Sequence, residues 1–193
     1  LPVRMADFTE AYWHTSVHEG GYAHDPIDRG GETYRGISRV CHPGWDGWNS
    51  VDALKVEAGF PGSLESDAGL RASVEAFYKE KYWDRFLGDE IPSQQVAVEL
   101  FDTGVNMGVR RSVRFLQNGL NLLNRNQENY QDLVVDGWLG QRSLELLSKY
   151  LSLDGNSDAL IKLMNIQQGA RYVGIMEHDS SQEKYARGWL RRV

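Results

Sequence analysis

The stretch SQQVAVELFDTGVNMGVRRSVRFLQNGLNLLN, residues 93–124, spaces its apolar side chains three and four positions apart. This spacing puts them on one face of an α-helix and predicts two consecutive helices, over residues 93–106 and 109–124. Pro92-Ser93 marks a helix start, because a serine side chain can accept a hydrogen bond from the first helical turn. The same spacing recurs elsewhere, so the predicted fold class is mostly α. Further helices are predicted over residues 6–19, 49–58, 66–87, 142–153, 158–177 and 182–192.

The segment HEGGYAHDPIDRGGET, residues 18–33, interrupts this helical pattern. Gly20-Gly21 ends the predicted first helix, because glycine readily adopts the left-handed conformation found at helix ends. Between Tyr22 and Gly47 the chain is rich in Gly, Pro and Asp, with a short β-prone piece at residues 33–37. We therefore predict a long glycine-rich loop with a small β-hairpin. Loops of this length are uncommon in compact helical domains and are usually functional.

Two carboxylic acids of this segment have different predicted environments. Glu19 falls at the carboxyl end of the first helix, where the helix dipole and neighbouring aromatic rings favour its protonated form. Asp28 is predicted to lie in a polar loop, where it is expected to stay ionised. Glycoside hydrolysis needs such a pair, an acid for the leaving oxygen and a carboxylate that activates water or stabilises the oxocarbenium-like transition state. Glu32 is expected to accept hydrogen bonds that order the loop. On spacing alone, a capped helix followed by a solvated acidic loop explains the segment equally well.

The segment resembles the Glu-Gly-Gly-Tyr signature of family 108 glycoside hydrolases, which are lysozyme-like N-acetylmuramidases of phage endolysins and bacterial proteins. The resemblance implies a lysozyme-like helical fold with Glu19 as the general acid. The segment is also similar to the phage-type lysozyme arrangement, in which eight residues separate a Glu from an Asp and five residues separate that Asp from a Thr. Asp28 keeps the first spacing, whereas Thr33 follows after four residues. The matching residues are Glu19-Gly20-Gly21-Tyr22, Asp25-Pro26, Asp28, Gly30-Gly31-Glu32-Thr33 and Gly36-Ile37.

This resemblance and the chemistry together suggest roles for five further residues. We expect Asp28 to stabilise charge or to position the attacking water, with help from Thr33. Asp25 is the alternative to Asp28 as the second carboxylate. Tyr22 and Tyr34 are expected to line the sugar groove. The preferred hypothesis is a muramidase that cleaves the β-1,4 bond between N-acetylmuramic acid and N-acetylglucosamine in peptidoglycan.

The second half of the chain resembles the predicted peptidoglycan-binding domain that accompanies these hydrolases. We expect a catalytic lobe over residues 5–91 and a helical peptidoglycan-binding-like lobe over residues 92–193, packed as one compact unit. Asn106, Asp136 and Trp138 are candidate substrate-binding residues, since an exposed tryptophan ring stacks on sugar faces. The Asp-Gly-x-x-Gly piece is equally consistent with a turn into the next helix. The matching pieces are Glu99–Asp102, Asn106–Gly108, Phe115–Gln117, Val135–Gly140 and Lys184–Leu190.

The net charge of -6 is distributed unevenly. Residues 1–104 carry 9 basic against 18 acidic side chains, and residues 105–193 carry 12 against 9, which gives net charges of -9 and +3. A basic second half suits an anionic polymer, although ordinary solvated helix faces explain the difference as well. A nucleic-acid-binding surface would be more basic.

We therefore expect peptidoglycan glycan strands as the partner, with no nucleic acid, no membrane insertion, no cofactor and a monomeric state. No apolar run approaches the roughly 20 residues that cross a bilayer. The amino terminus has no hydrophobic signal-peptide region. We expect synthesis in the cytoplasm and action in the periplasm or cell wall after release or export, in either a phage or a bacterial setting.

Two other functions are compatible with parts of the sequence. His14 and His18 lie four residues apart, a spacing at which two histidines can bind the same zinc ion. Glu19 or His24 would complete the set of ligands, and the protein would then be a zinc amidase or peptidase. The HExxH order is absent, and such a pair is more often part of a polar helix face, so no metal is expected. The second alternative is a non-catalytic wall-binding module, which would keep its activity without Glu19.

Overall fold

The computed structural model describes residues 5–16, 20–24 and 31–193. In these ranges the fold is mostly α-helical with one small antiparallel sheet, which confirms the predicted fold class. The elements are α1 (Phe8–Ser16), β1 (Tyr22–His24), β2 (Glu32–Tyr34), β3 (Ile37–Ser38), α2 (Gly47–Leu54), α3 (Ala68–Tyr78), α4 (Gln94–Met107), α5 (Val109–Leu122), α6 (Gln141–Asp154), α7 (Asp158–His178) and α8 (Ala186–Trp189). No helix within the described ranges is both long enough and apolar enough to span a membrane.

The chain divides into two compact units. One consists of Tyr12–Lys81, and the other of Leu1–Ala11 with Tyr82–Val193. Both boundaries fall inside helical segments, because α1 covers residues 8–16 and α3 continues into a π-helical turn at Lys79–Trp83. The division into functional lobes at residues 91 and 92 stays a prediction.

The unit Tyr12–Lys81 contains the sheet. β2 is its central strand, with Tyr34 opposite Tyr22 of β1 and opposite Ile37 of β3. Arg35 and Gly36 join β2 to β3 with φ values of 44° and 77°, a pair of positive angles typical of the two-residue turns that match strand twist. Side chains from the sheet, α2, a 3₁₀ turn at Gly62–Ser66 and α3 form the core of this unit: Tyr34, Ile37, Trp48, Val51, Leu64, Leu70 and Val74.

The other unit is built on α4, α5 and α7, with α5 packed against both of the others. The Oγ atom of Ser93 accepts a hydrogen bond from Val96 N at 3.3 Å and so caps α4, as the sequence predicts. Although Leu122 is 69% exposed, the helical stripe of residues 93–124 is confirmed by its buried apolar members. They are Val96, Leu100 and Phe101 of α4 and Val113, Leu116 and Leu120 of α5, together with Leu160 and Met164 of α7.

Gly104 of α4 lies directly against the ring of Phe86, which is fully buried. A Cβ atom at Gly104 would lie 2.3 Å from Phe86 Cζ, and protein interiors are close-packed, so a buried ring moves aside only at a cost. We expect Gly104→Ala to destabilise the protein by about 1 kcal/mol, because overpacking of about 1–3 kcal/mol exceeds the gain in helix propensity. Urea denaturation measures the change.

Gly174 of α7 provides the matched control. It is exposed, and a Cβ atom there would meet no neighbour within 4 Å. Gly174→Ala is therefore expected to stabilise the helix by about 0.5–1 kcal/mol. Equal effects of the two substitutions would contradict the packing argument.

Candidate active site

The three predicted catalytic carboxylates, Glu19, Asp25 and Asp28, lie outside the described residues. The chain nevertheless attaches them to described elements. Glu19 comes between the last residue of α1 and the first residue of β1, and both aspartates belong to the connection between β1 and β2. The end of α1 and the small sheet are therefore the described supports of the candidate site.

Tyr78 links the middle of α1 to the turn that follows β2. Its ring packs on the ring of Tyr12 with centroids 5.7 Å apart. Its hydroxyl donates a hydrogen bond to Arg35 O, in the turn between β2 and β3, at 2.8 Å. One buried tyrosine thus contacts both elements that precede and follow the predicted catalytic segment.

A buried carboxylate anchors the sheet to α2. Glu32 of β2 is 8% exposed and accepts a hydrogen bond from the Tyr22 hydroxyl at 3.0 Å. Its oxygens also lie 2.6 Å from Lys55 Nζ and 3.0 Å from Arg39 Nε. Asp52 of α2 pairs with the same two cations, at 2.8 Å from Arg39 and 3.0 Å from Lys55. Glu32 is therefore a hydrogen-bond acceptor, as the sequence predicts, and it holds β2 to β1 and to the end of α2.

These partners also set the protonation states. Burial raises the pKa of Glu32, but hydrogen bonds from Lys55 and Tyr22 and the charge of Arg39 outweigh it and lower this pKa overall. Hydrogen bonds from Arg39 and Lys55 lower the pKa of Asp52 to about 2. Both carboxyl groups are ionised at neutral pH, so neither of them can serve as the general acid.

The remaining predicted residues of the segment, which lie in the sheet, differ in how deeply they are buried. Thr33 is half-buried, with its Oγ1 atom 3.5 Å from Ala23 O across the β1–β2 pair. Tyr22 is half-buried, and its ring packs edge-on against Phe60 with centroids 4.7 Å apart. Tyr34 is fully buried, and its hydroxyl donates to Leu64 O at 3.4 Å. The prediction that Tyr34 lines the sugar groove is therefore wrong, because strand alternation turns this ring into the core.

The three candidates of the second half lie in the other unit. Asn106 is exposed, and its Oδ1 atom accepts a hydrogen bond from the Tyr172 hydroxyl at 2.6 Å. Asp136 is exposed, but Gln117 and the Trp138 backbone N–H donate to its carboxylate, and these bonds lower its pKa. Trp138 is 63% exposed, which makes its ring accessible to a sugar. Asp136 therefore stabilises a turn, and this turn leaves the ring of Trp138 exposed to solvent.

The unit with the sheet also holds a cavity that the sequence did not indicate. Its volume is about 420 Å³. Aromatic rings and carboxylates together suit a sugar, which offers both an apolar face and hydroxyl groups. The residues come from the loop after β3 and from the end of α3, and only the structure brings them together. They are His42, Gly44, Trp45, Asp46, Ser73, Ala76, Phe77, Glu80 and Lys81.

The described residues offer no support for the zinc alternative. Within residues 5–16, 20–24 and 31–193, no group of three or more His, Cys, Asp and Glu side chains is placed to hold a metal ion. His14 is exposed at the end of α1, and His24 is exposed in β1. The other members of the proposed set, His18 and Glu19, lie outside these ranges.

Comparisons with known proteins cover nearly the whole chain. A family model described as "Glycosyl hydrolase 108" matches residues 12–108, and one described as "Predicted Peptidoglycan domain" matches residues 111–193. A similar solved structure is that of SagA from Brucella abortus, with a TM-score of 0.58 and 23% identity over 96% of this chain and 88% of that chain. This likeness concerns the fold and supports the predicted lysozyme-like architecture. No curated protein matches.

Proposed function

We propose that this chain, which belongs to glycosyl hydrolase family 108, is a muramidase that cleaves the β-1,4 bond between N-acetylmuramic acid and N-acetylglucosamine. The observation that carries the proposal is that one chain matches both a hydrolase family model, over residues 12–108, and a peptidoglycan domain model, over residues 111–193. The chain is accordingly a glycoside hydrolase that acts on peptidoglycan. The choice between the two β-1,4 bonds of the glycan rests on the resemblance of the Glu-Gly-Gly-Tyr segment to N-acetylmuramidases.

In the proposed mechanism Glu19 gives its proton to the oxygen of the glycosidic bond as that bond breaks. Water adds to the anomeric carbon of the muramic acid, and its proton goes to a carboxylate, for which we assign Asp28 with Asp25 as the alternative. Thr33 helps to position this carboxylate or the water. Glu32 does not supply the proton, because its two cationic neighbours keep it ionised.

The supports of the site favour this assignment. The segment that carries Asp28 begins and ends in paired strands, and the second of them is held by the buried Glu32. A catalytic group must be positioned closely for proton transfer, and such a platform reduces the motion of the segment's ends. We further propose that residues 5–91 carry the chemistry and that residues 92–193, with Trp138 and Asn106, contact the wall.

Mass analysis of peptidoglycan fragments tests the proposal. Purified sacculi are digested with the full chain, and the released fragments are reduced and identified. We expect muropeptides with muramic acid at the reducing end, formed equally in the presence of a metal chelator. Reducing-end glucosamine would instead indicate a glucosaminidase, and free peptides would indicate an amidase or peptidase. The absence of any new end would favour a non-catalytic binding module.

A further inference from the structure

The turn at residues 136–138 is held by one buried side chain. Gln117 of α5 is 2% exposed, and its Nε2 atom donates to Asp136 Oδ1 at 2.9 Å and to Trp138 O at 3.1 Å. Its Oε1 atom accepts from Gly137 N at 2.9 Å. The Trp138 backbone N–H also donates to Asp136 Oδ1, at 2.8 Å. These four bonds fix the backbone on both sides of Trp138.

Trp138 is nevertheless 63% exposed, although its neighbours Gly137 and Leu139 are buried. A turn that served only to start α6 would need the buried residues Gly137 and Leu139. It would not need a solvent-exposed indole ring between them. An aromatic ring on a rigid backbone loses little conformational entropy when it binds a ligand. The position is therefore suited to stacking against a flat apolar face, such as that of a sugar ring.

Two arginines of α5 adjoin this turn. Arg110 Nε donates to Asp136 O at 3.1 Å. A Cβ atom at Gly137, whose φ is +81°, would lie 2.5 Å from Arg110 Cγ and 3.2 Å from Arg114 Cγ. The aliphatic parts of both arginines thus pack under the residue next to Trp138, while both side chains remain exposed. In the described part of the chain, no carboxylate is ion-paired with either arginine.

We propose that Trp138, Arg110 and Arg114 form a second wall-binding site, which recognises stem-peptide carboxylates of peptidoglycan beside a sugar ring. The inference rests on the proposed function, because it takes peptidoglycan as the polymer. Stem peptides carry free carboxylates next to the muramic acid, and arginine binds carboxylates through paired, charge-assisted hydrogen bonds. The net charge of +3 over residues 105–193 favours the same ligand. Asp136 remains negatively charged, and the charge of Arg110 is among the causes that lower its pKa, so we assign the larger share of the binding to Arg114.

Co-sedimentation with purified sacculi tests the site. The full chain carries Glu19→Gln so that the wall is not degraded, and the sacculi are first freed of phosphodiester polymers. We expect Trp138→Ala to weaken binding about tenfold, as for a stacked aromatic anchor. Arg114→Ala should weaken it about 3- to 5-fold, with a smaller effect at high salt, where charges are screened. Lys162→Ala removes an exposed positive charge from α7 and should leave binding unchanged.

A second preparation of sacculi identifies the ligand chemistry. Coupling with ethanolamine converts the carboxylates to neutral amides and keeps the glycan intact. Binding should then fall, and Arg114→Ala should have no further effect, whereas Trp138→Ala should still reduce the remaining binding. Unchanged binding to the neutralised sacculi would overturn the proposal, as would equal effects of Arg114→Ala and Lys162→Ala. Binding that requires the phosphodiester polymers would assign the site to phosphate and also overturn it.

The two proposals fail separately. Fragment analysis uses the unsubstituted chain and reports the bond that is cut, whereas sedimentation uses the Glu19→Gln chain and reports adhesion to the wall. A glucosaminidase product would overturn the muramidase assignment without changing the sedimentation result. Loss of the Arg114 effect would overturn the carboxylate site without changing the products.

Discussion

Glu19→Gln is expected to lower the rate of peptidoglycan hydrolysis by about 10²- to 10⁴-fold, the range typical for loss of general acid–base catalysis. Glutamine keeps the size and polarity of the side chain but has no acidic proton to give to the glycosidic oxygen. The rate is measured as new reducing ends released from purified sacculi. The thermal midpoint should change little, because the substitution keeps a polar group of the same shape.

Glu10→Gln is the matched control, since it makes the same substitution at an exposed position of α1. It should retain the rate of the unsubstituted chain. Substantial lysis by the Glu19→Gln chain would exclude Glu19 as the proton donor and reopen the question of which group supplies the proton. Measurement of Asp28→Asn beside Asp25→Asn then decides which aspartate is the second carboxylate.

Hydrophobic spacing predicted most of the helices because those helices bury one face. The helix predicted over residues 182–192 is instead a 3₁₀ turn at Ser180–Tyr185 followed by the four-residue α8, and neither of them contains a buried residue. The stripe of residues 93–124 forms α4 and α5, with one apolar face of each helix buried and Ser93 at the predicted cap. The helix predicted over residues 66–87 is shorter as an α-helix. Its regular part ends at Tyr78, and a π-helical turn and 3₁₀ turns follow. Gly88 lies so close to the Trp83 ring that a Cβ atom would be 2.2 Å from it, a tertiary contact that spacing cannot reveal.

The candidate site was harder to predict because it depends on faces and on distant partners. In a strand of three residues, a shift of one position exchanges the buried and exposed faces, so the sequence could not place Tyr34 in the core. The partners of Glu32 come from positions 39 and 55, which no local pattern connects to it. The cavity beside Trp45 depends in the same way on segments that are distant in sequence. Motif resemblance indicated the chemistry, and only the structure showed how its supports are held.

Glu32→Gln is expected to destabilise the protein by about 2 kcal/mol at neutral pH. Removal of one member of a buried ion pair typically costs about 3–5 kcal/mol, and the loss is smaller here because Lys55 and Arg39 are about one-third exposed and keep Asp52 as a partner. Urea denaturation at pH 7 measures the loss. Glu57→Gln, an exposed position in the same unit, should change stability by less than about 0.5 kcal/mol.

The pH dependence of this difference tests the charge state of Glu32. Its folded-state pKa is lowered, so its contribution is complete above the unfolded pKa of about 4.3 and disappears as the pH falls through the folded value. Asp52, with a folded pKa of about 2, remains charged further into acid. The stability gap between the unsubstituted chain and Glu32→Gln should therefore be constant from pH 7 to pH 5 and shrink below pH 4. A gap that persisted undiminished at pH 2 would mean that Glu32 stabilises the sheet by shape and hydrogen bonding, and that its charge contributes nothing.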